Sequence, residues 1–404
     1  MIVLAGGDLV LPDRVQPGGA LIIDGDRIAA LERGAAEPAG AEVFDVSGCY
    51  VAPGFVDVHV HGVGGRDTLD GGDAVAAIAA AVPQYGVTAF CPTAVACAPD
   101  VLRAFLDQVR FARIARAPGS ARVLPAHLES NFINPEYRGA QPAACLRTPP
   151  GDDEVRMAYR SDPGEYSGVQ ILSAISVSRA DVGIVTLAPE LPGGIELVRS
   201  LVRAGHRVSL GHSGADFETA LAAIDAGARH ATHLFNRMTP MAHRAPGLTG
   251  AALAHEAITP ELICDGYHVH PAICRMAIAA KGPGNIMAIT DATAGAGLPV
   301  GAQARLGGRT IHVRDDAAFL DDGTLAGSTL TMDRAFRNIV ERFGRSVVDA
   351  AHMCSTVPAR QLGLAEAGRL VEGAFADIVV LDRNFGIVAT LIGGDVAWAA
   401  ADGE

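Results

Sequence analysis

The sequence predicts an α/β protein: a (β/α)8 barrel of the TIM type with a small β-sandwich domain formed by both chain termini. Three observations predict it. From residue 54 onward, β-rich runs alternate with alanine-rich helical stretches, the mark of a parallel sheet with helical crossovers. Eight strand candidates fall within about 300 residues, enough to close a barrel. Short β-like runs broken by Gly, Pro and Asp occupy both ends of the chain, and neither end carries enough apolar surface to fold alone. A doubly wound open sheet of the same units is the alternative.

In chain order, the runs at 19–24, 27–31 and 41–45 open the small domain, and those at 377–382, 386–392 and 396–398 complete it. This assigns 1–52 and 359–404 to the β-sandwich and 53–358 to the barrel. Within the barrel the candidate strands are 54–61, 87–91, 122–128, 184–188, 207–211, 230–234, 261–264 and 285–290.

Composition excludes several classes of function. The 404 residues are 49% hydrophobic and 19% charged, which is too apolar for a disordered chain. A net charge of −13 argues against a nucleic acid or an anionic membrane as partner, so any anion must be bound locally. Of 32 basic residues only Lys281 is a lysine, and Gly282 and Pro283 follow it, so there is no P-loop. Schiff-base and carboxylated-lysine chemistry would have to run through that one residue, which reads as the basic last turn of a helix. Gly295, Gly297 and Gly301 have the wrong spacing for a dinucleotide fingerprint. Seven cysteines, odd in number and without a Cys-x-x-Cys pair, fit a reducing compartment better than a disulfide framework. The N-terminus MIVLAGGDLVLPDR has no basic region before its apolar stretch, and 74–90 is broken by Pro83, Gln84 and Gly86. A cytoplasmic location is therefore expected.

A barrel gathers its active site at the C-terminal ends of its strands, and the polar residues of this chain fall there. Strand one ends in His59 and His61, strand three in His127 and Glu129, strand five in His212, strand six in His233, and strand eight in Asp291. Alternate strand residues share a face, so His59 and His61 are placed to bind one ion together. Four of these histidines, His59, His61, His212 and His233, with Glu129 and Asp291, are costly to bury at strand ends unless paired or ligating. Imidazole and carboxylate donors without thiolate suit zinc foremost, with iron, manganese or cobalt also suitable.

These motifs place the chain by resemblance. PGFVDVHVHG (53–62), GHSGADF (211–217), THLFN (232–236), DGYHVHP (265–271), ITDAT (289–293) and GTLAGSTLTMDRA (323–335) resemble the N-acetylglucosamine-6-phosphate deacetylase family of the amidohydrolase superfamily. The likeness runs nearly the whole chain, through MCSTVPARQLG and GAFADIVVLD near its end. It implies a barrel with a terminal β-sandwich, hydrolysis of an acetamide, and a divalent metal, one or two ions per subunit. It implies that Glu129, His212 and His233 hold the principal metal and that Asp291, facing the metals, is the general acid/base. With His59 and His61 intact, a second ion bridged by Glu129 is implied as well, the glutamate standing where other branches use a carboxylated lysine. Asn236, Arg244 and His268 match the phosphate pocket, with Arg244 reaching across the interface of a homodimer.

The chain departs from the family pattern after strand three, where HLESNFINPEYRGAQ puts Ser130 and Asn131 in place of Gly-Pro, and Gln141 in place of a histidine at the acyl group. Arg237 stands where alanine is common. The leading expectation is removal of acetyl from an N-acetylated amino-sugar phosphate. The same chemistry on another N-acyl sugar, an N-acyl amino acid or a cyclic amide is the alternative. A non-catalytic metal or sugar-phosphate binding protein is a third reading, against which Asp291 speaks.

Overall fold

In the computed structural model, residues 1–34, 40–150, 166–315 and 317–401 are described. All eight expected barrel strands form, each followed by a helix. They are β1 (Phe55–Val60), β2 (Val87–Ala94), β3 (Ala126–Glu129), β4 (Val182–Leu187), β5 (Arg207–Leu210), β6 (His230–Ala231), β7 (Thr259–Ile263) and β8 (Met287–Ile289). The helices are α1 (Ala74–Ala81), α2 (Pro99–Ile114), α3 (Gly168–Val177), α4 (Gly194–Arg203), α5 (Phe217–Asp225), α6 (Gly247–Ala254), α7 (Pro271–Lys281) and α8 (Met332–Glu341).

Successive strands pair in parallel from β1 to β8. The circle is closed by a parallel bridge from Val60 to Ala292, with His61 N donating to Ala292 O at 2.8 Å. That bridge removes the open-sheet alternative.

Local sequence explains the layers. β1 and β4 are buried at every position because helices cover the outside and side chains fill the inside. In α4, Leu197, Val198 and Leu201 recur on one face and are buried, while Glu196 sits in the first turn and Arg203 in the last, each complementing the helix dipole. Lys281 does occupy the last turn of α7, where its Nζ donates to His255 O at 2.7 Å, and Gly282 at φ 74° ends the helix.

Strands from both termini share one eight-stranded sheet. Its seam is the antiparallel pairing of Tyr50–Pro53 with Ile378–Leu381, so the two ends of the chain bury each other's apolar faces, with Leu9, Leu21, Ile23, Val51, Ile378 and Val380 in one cluster. A four-stranded antiparallel sheet (Gln303–Leu306, Arg309–Arg314, Ala317–Phe319 and Leu325–Ser328) stands between β8 and α8. Its first turn is Gly307-Gly308, both at positive φ, a two-residue hairpin that the alternating pattern of 303–314 encodes.

Candidate metal centre and substrate pocket

Asp57, His59 and His61 alternate along and just beyond β1, so their side chains point into the barrel in three tiers. At the lowest, the Asp57 carboxylate accepts the Thr290 hydroxyl at 2.6 Å, and burial pushes its pKa up to about 7. In the middle, His59, His127 and Glu261 are fully buried. At the top, His61, Glu129, His212, His233 and Asp291 line a cavity of about 450 Å³.

Glu129 is the centre of this arrangement. Its Oε1 lies 2.7 Å from His212 Nε2 and 2.8 Å from His233 Nε2, whose nitrogens are 3.0 Å apart. Its Oε2 faces the other side, 3.4 Å from His61 Nε2, and the Nε2 atoms of His59 and His61 are 3.2 Å apart. Asp291 Oδ1 stands 3.3 Å from both of those nitrogens. Ligand atoms bound at about 2.0–2.2 Å to one tetrahedral ion are separated by roughly 3.3–3.6 Å, so both halves of this donor set approach the size of a zinc-like ion. Paired imidazole nitrogens that face one another share at most one hydrogen, which also suits a common cation. The residues fit one ion or two.

Charge at the centre supports that fit. Burial opposes a proton on His61 and His233, but the Asp291 and Glu129 carboxylates outweigh it and lift them to about 10 and about 9. Burial opposes the charge of Glu129, yet the histidines around it, His212 foremost, hold its carboxyl well below the usual range. Without a metal, the site gathers protons as its positive charge.

The backbone is strained at the same place. His212, His233, Phe235, Arg237 and Asp291 have φ between 32° and 76°, a region that side chains seldom adopt. Such strain persists where surrounding contacts over-determine it, and here it turns strand-end side chains onto one point. His212 is further fixed by donation from Nδ1 to Tyr137 O at 2.8 Å.

A profile of the amidohydrolase family matches residues 50–397. The chain belongs to the amidohydrolase family. It is 38% identical over 407 residues to the N-acetylglucosamine-6-phosphate deacetylase of Bos taurus, covering 98% of this chain and 94% of the relative. It is 34% identical over 373 residues to the N-acetylgalactosamine-6-phosphate deacetylase of Escherichia coli O157:H7, covering 92% and 94%. A mutant of the Mycobacterium smegmatis N-acetyl-D-glucosamine-6-phosphate deacetylase, solved in complex with N-acetyl-D-glucosamine-6-phosphate, superposes with a TM-score of 0.85 at 32% identity, covering 98% and 99%. The family placement fits the glutamate-centred donor set, since the one lysine of the chain stands at a helix end.

The departures from the family pattern resolve into two kinds. Ser130 and Asn131 fasten the loop after β3: the Ser130 hydroxyl donates to Thr186 O at 2.5 Å, and the Asn131 amide donates to Cys97 O at 2.8 Å and Cys145 O at 2.7 Å. Neither lines the cavity. Gln141 does, and its orientation is set, because Ala96 N donates to its Oε1 at 2.8 Å while its Nε2 donates to Glu129 Oε2.

Asn236, Arg237 and His268 line the same cavity. The Asn236 amide donates to His233 O at 3.1 Å, and the Arg237 side chain passes over Gly139, where a Cβ would strike its Nε at 2.8 Å. Arg244 is exposed and does not line the cavity of its own chain.

Three residues here were not singled out from sequence. Asp265 receives His268 Nδ1 at 2.6 Å and so orients that ring. Glu190, just past β4, accepts from the Ser213 hydroxyl at 2.7 Å and from Gly214 N, holding the turn that follows His212. Glu261 accepts from His59 Nδ1 at 3.0 Å. Asp265 lies three residues before a marked histidine, a local signal; Glu190 and Glu261 carry none.

Proposed function

We propose that this enzyme hydrolyses the acetamide of an N-acetylated amino-sugar phosphate, N-acetylglucosamine-6-phosphate foremost, to the free amine and acetate. The observation that carries the reading is Glu129, whose Oε1 faces His212 and His233 and whose Oε2 faces His61, with His59 Nε2 within 3.9 Å of its carboxylate and Asp291 lining the same cavity. In this reading Glu129, His212 and His233 hold the principal divalent ion, zinc foremost, and His59 and His61 with Glu129 hold a second. Such an ion polarises a carbonyl and lowers the pKa of water from about 15.7 towards 7.

The chain's own groups do the rest. The Asp291 carboxylate takes the proton of the attacking water and returns it to the departing nitrogen, which cannot leave as an anion. Burial opposes its charge, but His59 and His61 hold its pKa below the usual value, so it starts as the base. The Gln141 amide, fixed by Ala96, turns an N–H towards the acyl end. Asn236, Arg237 and His268 receive the phosphate from one chain, and Arg244 of a second copy completes it in a homodimer. The apolar groove of Phe235, Met241, Ile273 and Met276 supports that assembly, because Phe235 also lines the cavity and Met241 shares a loop with Arg244. A cytoplasmic setting belongs to the same proposal, on seven free cysteines.

The neutral Gln141 favours a second reading, the same hydrolysis on a different N-acyl group. An amine-release assay on N-acetylglucosamine and N-acetylgalactosamine, each with and without 6-phosphate, decides between them. Turnover of the 6-phosphates at least tenfold above the free sugars is expected. No release from any of the four, with metal-replete protein, would sink the leading reading.

A further inference from the structure

We infer that Glu261 is the positioning residue for the His59 side of the metal centre, fixing the His59 ring with its Nδ1 hydrogen on the carboxylate and its Nε2 lone pair turned to Asp291, His61 and Glu129. The inference rests on the two-ion reading above and adds a residue that the reading does not contain.

A glutamate in the middle of a barrel strand needs a reason. Glu261 lies within β7, is wholly unexposed, and points into a core where an unpaired charge is costly. Its Oε1 has no hydrogen-bond partner, so the carboxylate is not there to satisfy a donor network. Its Oε2 meets His59 Nδ1 at 3.0 Å and, more loosely, His233 N at 3.4 Å.

A carboxylate only accepts, so the atom facing it must bear the hydrogen; the neutral His59 ring then has its lone pair on Nε2. That nitrogen is 3.2 Å from His61 Nε2 and 3.3 Å from Asp291 Oδ1. The carboxylate therefore selects the coordinating tautomer and increases the ring's basicity.

His59, His127 and Glu261 also cluster tightly enough to resemble a cation site of their own. The hydrogen bonds argue otherwise. His127 spends Nδ1 on Val58 O at 2.9 Å and Nε2 on the Thr186 hydroxyl at 2.8 Å, so it has no nitrogen left for a cation. His127 and Glu261 are a support beneath the metal centre, and His59 joins them to it. The His212 side has its own support, the Tyr137 carbonyl at 2.8 Å, and Glu261 touches that side only through the long contact to His233 N, so loss of Glu261 should fall chiefly on the His59 side.

Cobalt(II) titration of metal-stripped protein, read by its visible bands and by calorimetry, tests this. Wild type is expected to bind two equivalents. Glu261→Gln, whose amide can offer N–H to Nδ1 and so favour the wrong tautomer, should bind the first within about threefold of wild type and the second roughly 10- to 100-fold more weakly. Glu261→Asp, which keeps the charge, should fall between. In a His59→Ala background, adding Glu261→Gln should change nothing further. Two equivalents with unchanged affinity in Glu261→Gln overturn the inference. So does an unfolded variant, or an equal loss on top of His59→Ala, since either assigns Glu261 to the core alone. A single equivalent in wild type overturns the two-ion reading, and the inference with it.

Discussion

The two ends of the cavity are built differently. At the metal end, Glu129, His212, His233, His61 and Asp291 are almost without exposure, cross-bonded, and set on strained backbone. At the end proposed for the phosphate, Asn236 is half-buried, Arg237 is exposed, and Arg244 lies outside the cavity of its own chain. In the function proposed above, chemistry that depends on sub-ångström placement falls to the rigid barrel, whereas recognition falls to loops that a second copy would complete. The first should be intolerant of substitution and the second graded.

The sharpest break is between two carboxylates at the metal end. Glu129→Gln should lose bound metal and turnover together. Asp291→Asn should keep its metal, measured by elemental analysis, and lose roughly 10²- to 10⁴-fold in turnover. Near-normal rates in Asp291→Asn would remove it from proton transfer.

A smaller effect is expected at the anion end. Arg244→Ala should raise KM for a 6-phosphorylated substrate by roughly 10- to 100-fold, the worth of a charge-assisted hydrogen bond, and leave the unphosphorylated sugar alone. Arg237→Ala should cost less, about threefold to tenfold, because its guanidinium is exposed to water whereas that of Arg244 would be covered by the second copy. If Arg237 proves the larger, the anion is held within one chain and the two ends differ less than the geometry implies.

The last effect lies away from both ends and touches stability alone. Burial holds His230 neutral in the fold, its pKa pushed down to about 4, and burial also lowers that of His206. Unfolded, each accepts a proton below about 6.5, so the unfolded state binds more protons between those values and stability rises with pH there. Acidification from pH 7.5 to 5 should therefore cost metal-free protein up to roughly 1–2 kcal/mol through His230. Urea unfolding in chelator, compared with His230→Gln, should show a flatter pH slope in the variant; parallel slopes would clear His230.

Much of this was legible in the sequence. The eight strands were readable because parallel barrel strands are apolar runs followed by polar ends, and the ends carry the donor set. β6 was shorter than the run 230–234 suggests: the backbone leaves the ladder after Ala231 to turn His233 and Phe235 through positive φ. The sheet at 303–328 was not anticipated, although its Gly-Gly turn was visible.

By itself the sequence determined the barrel, the family, and which residue types could gather at the strand ends, because side-chain periodicity and the scarcity of lysine are local facts. Only the tertiary structure decided that Ser130 and Asn131 fasten a loop while Gln141 reaches Glu129, and that Glu261 supports His59 from 202 residues away. Those contacts join segments separated by 12 to 202 residues, and no pattern within a strand records which neighbour the closed barrel will bring against it.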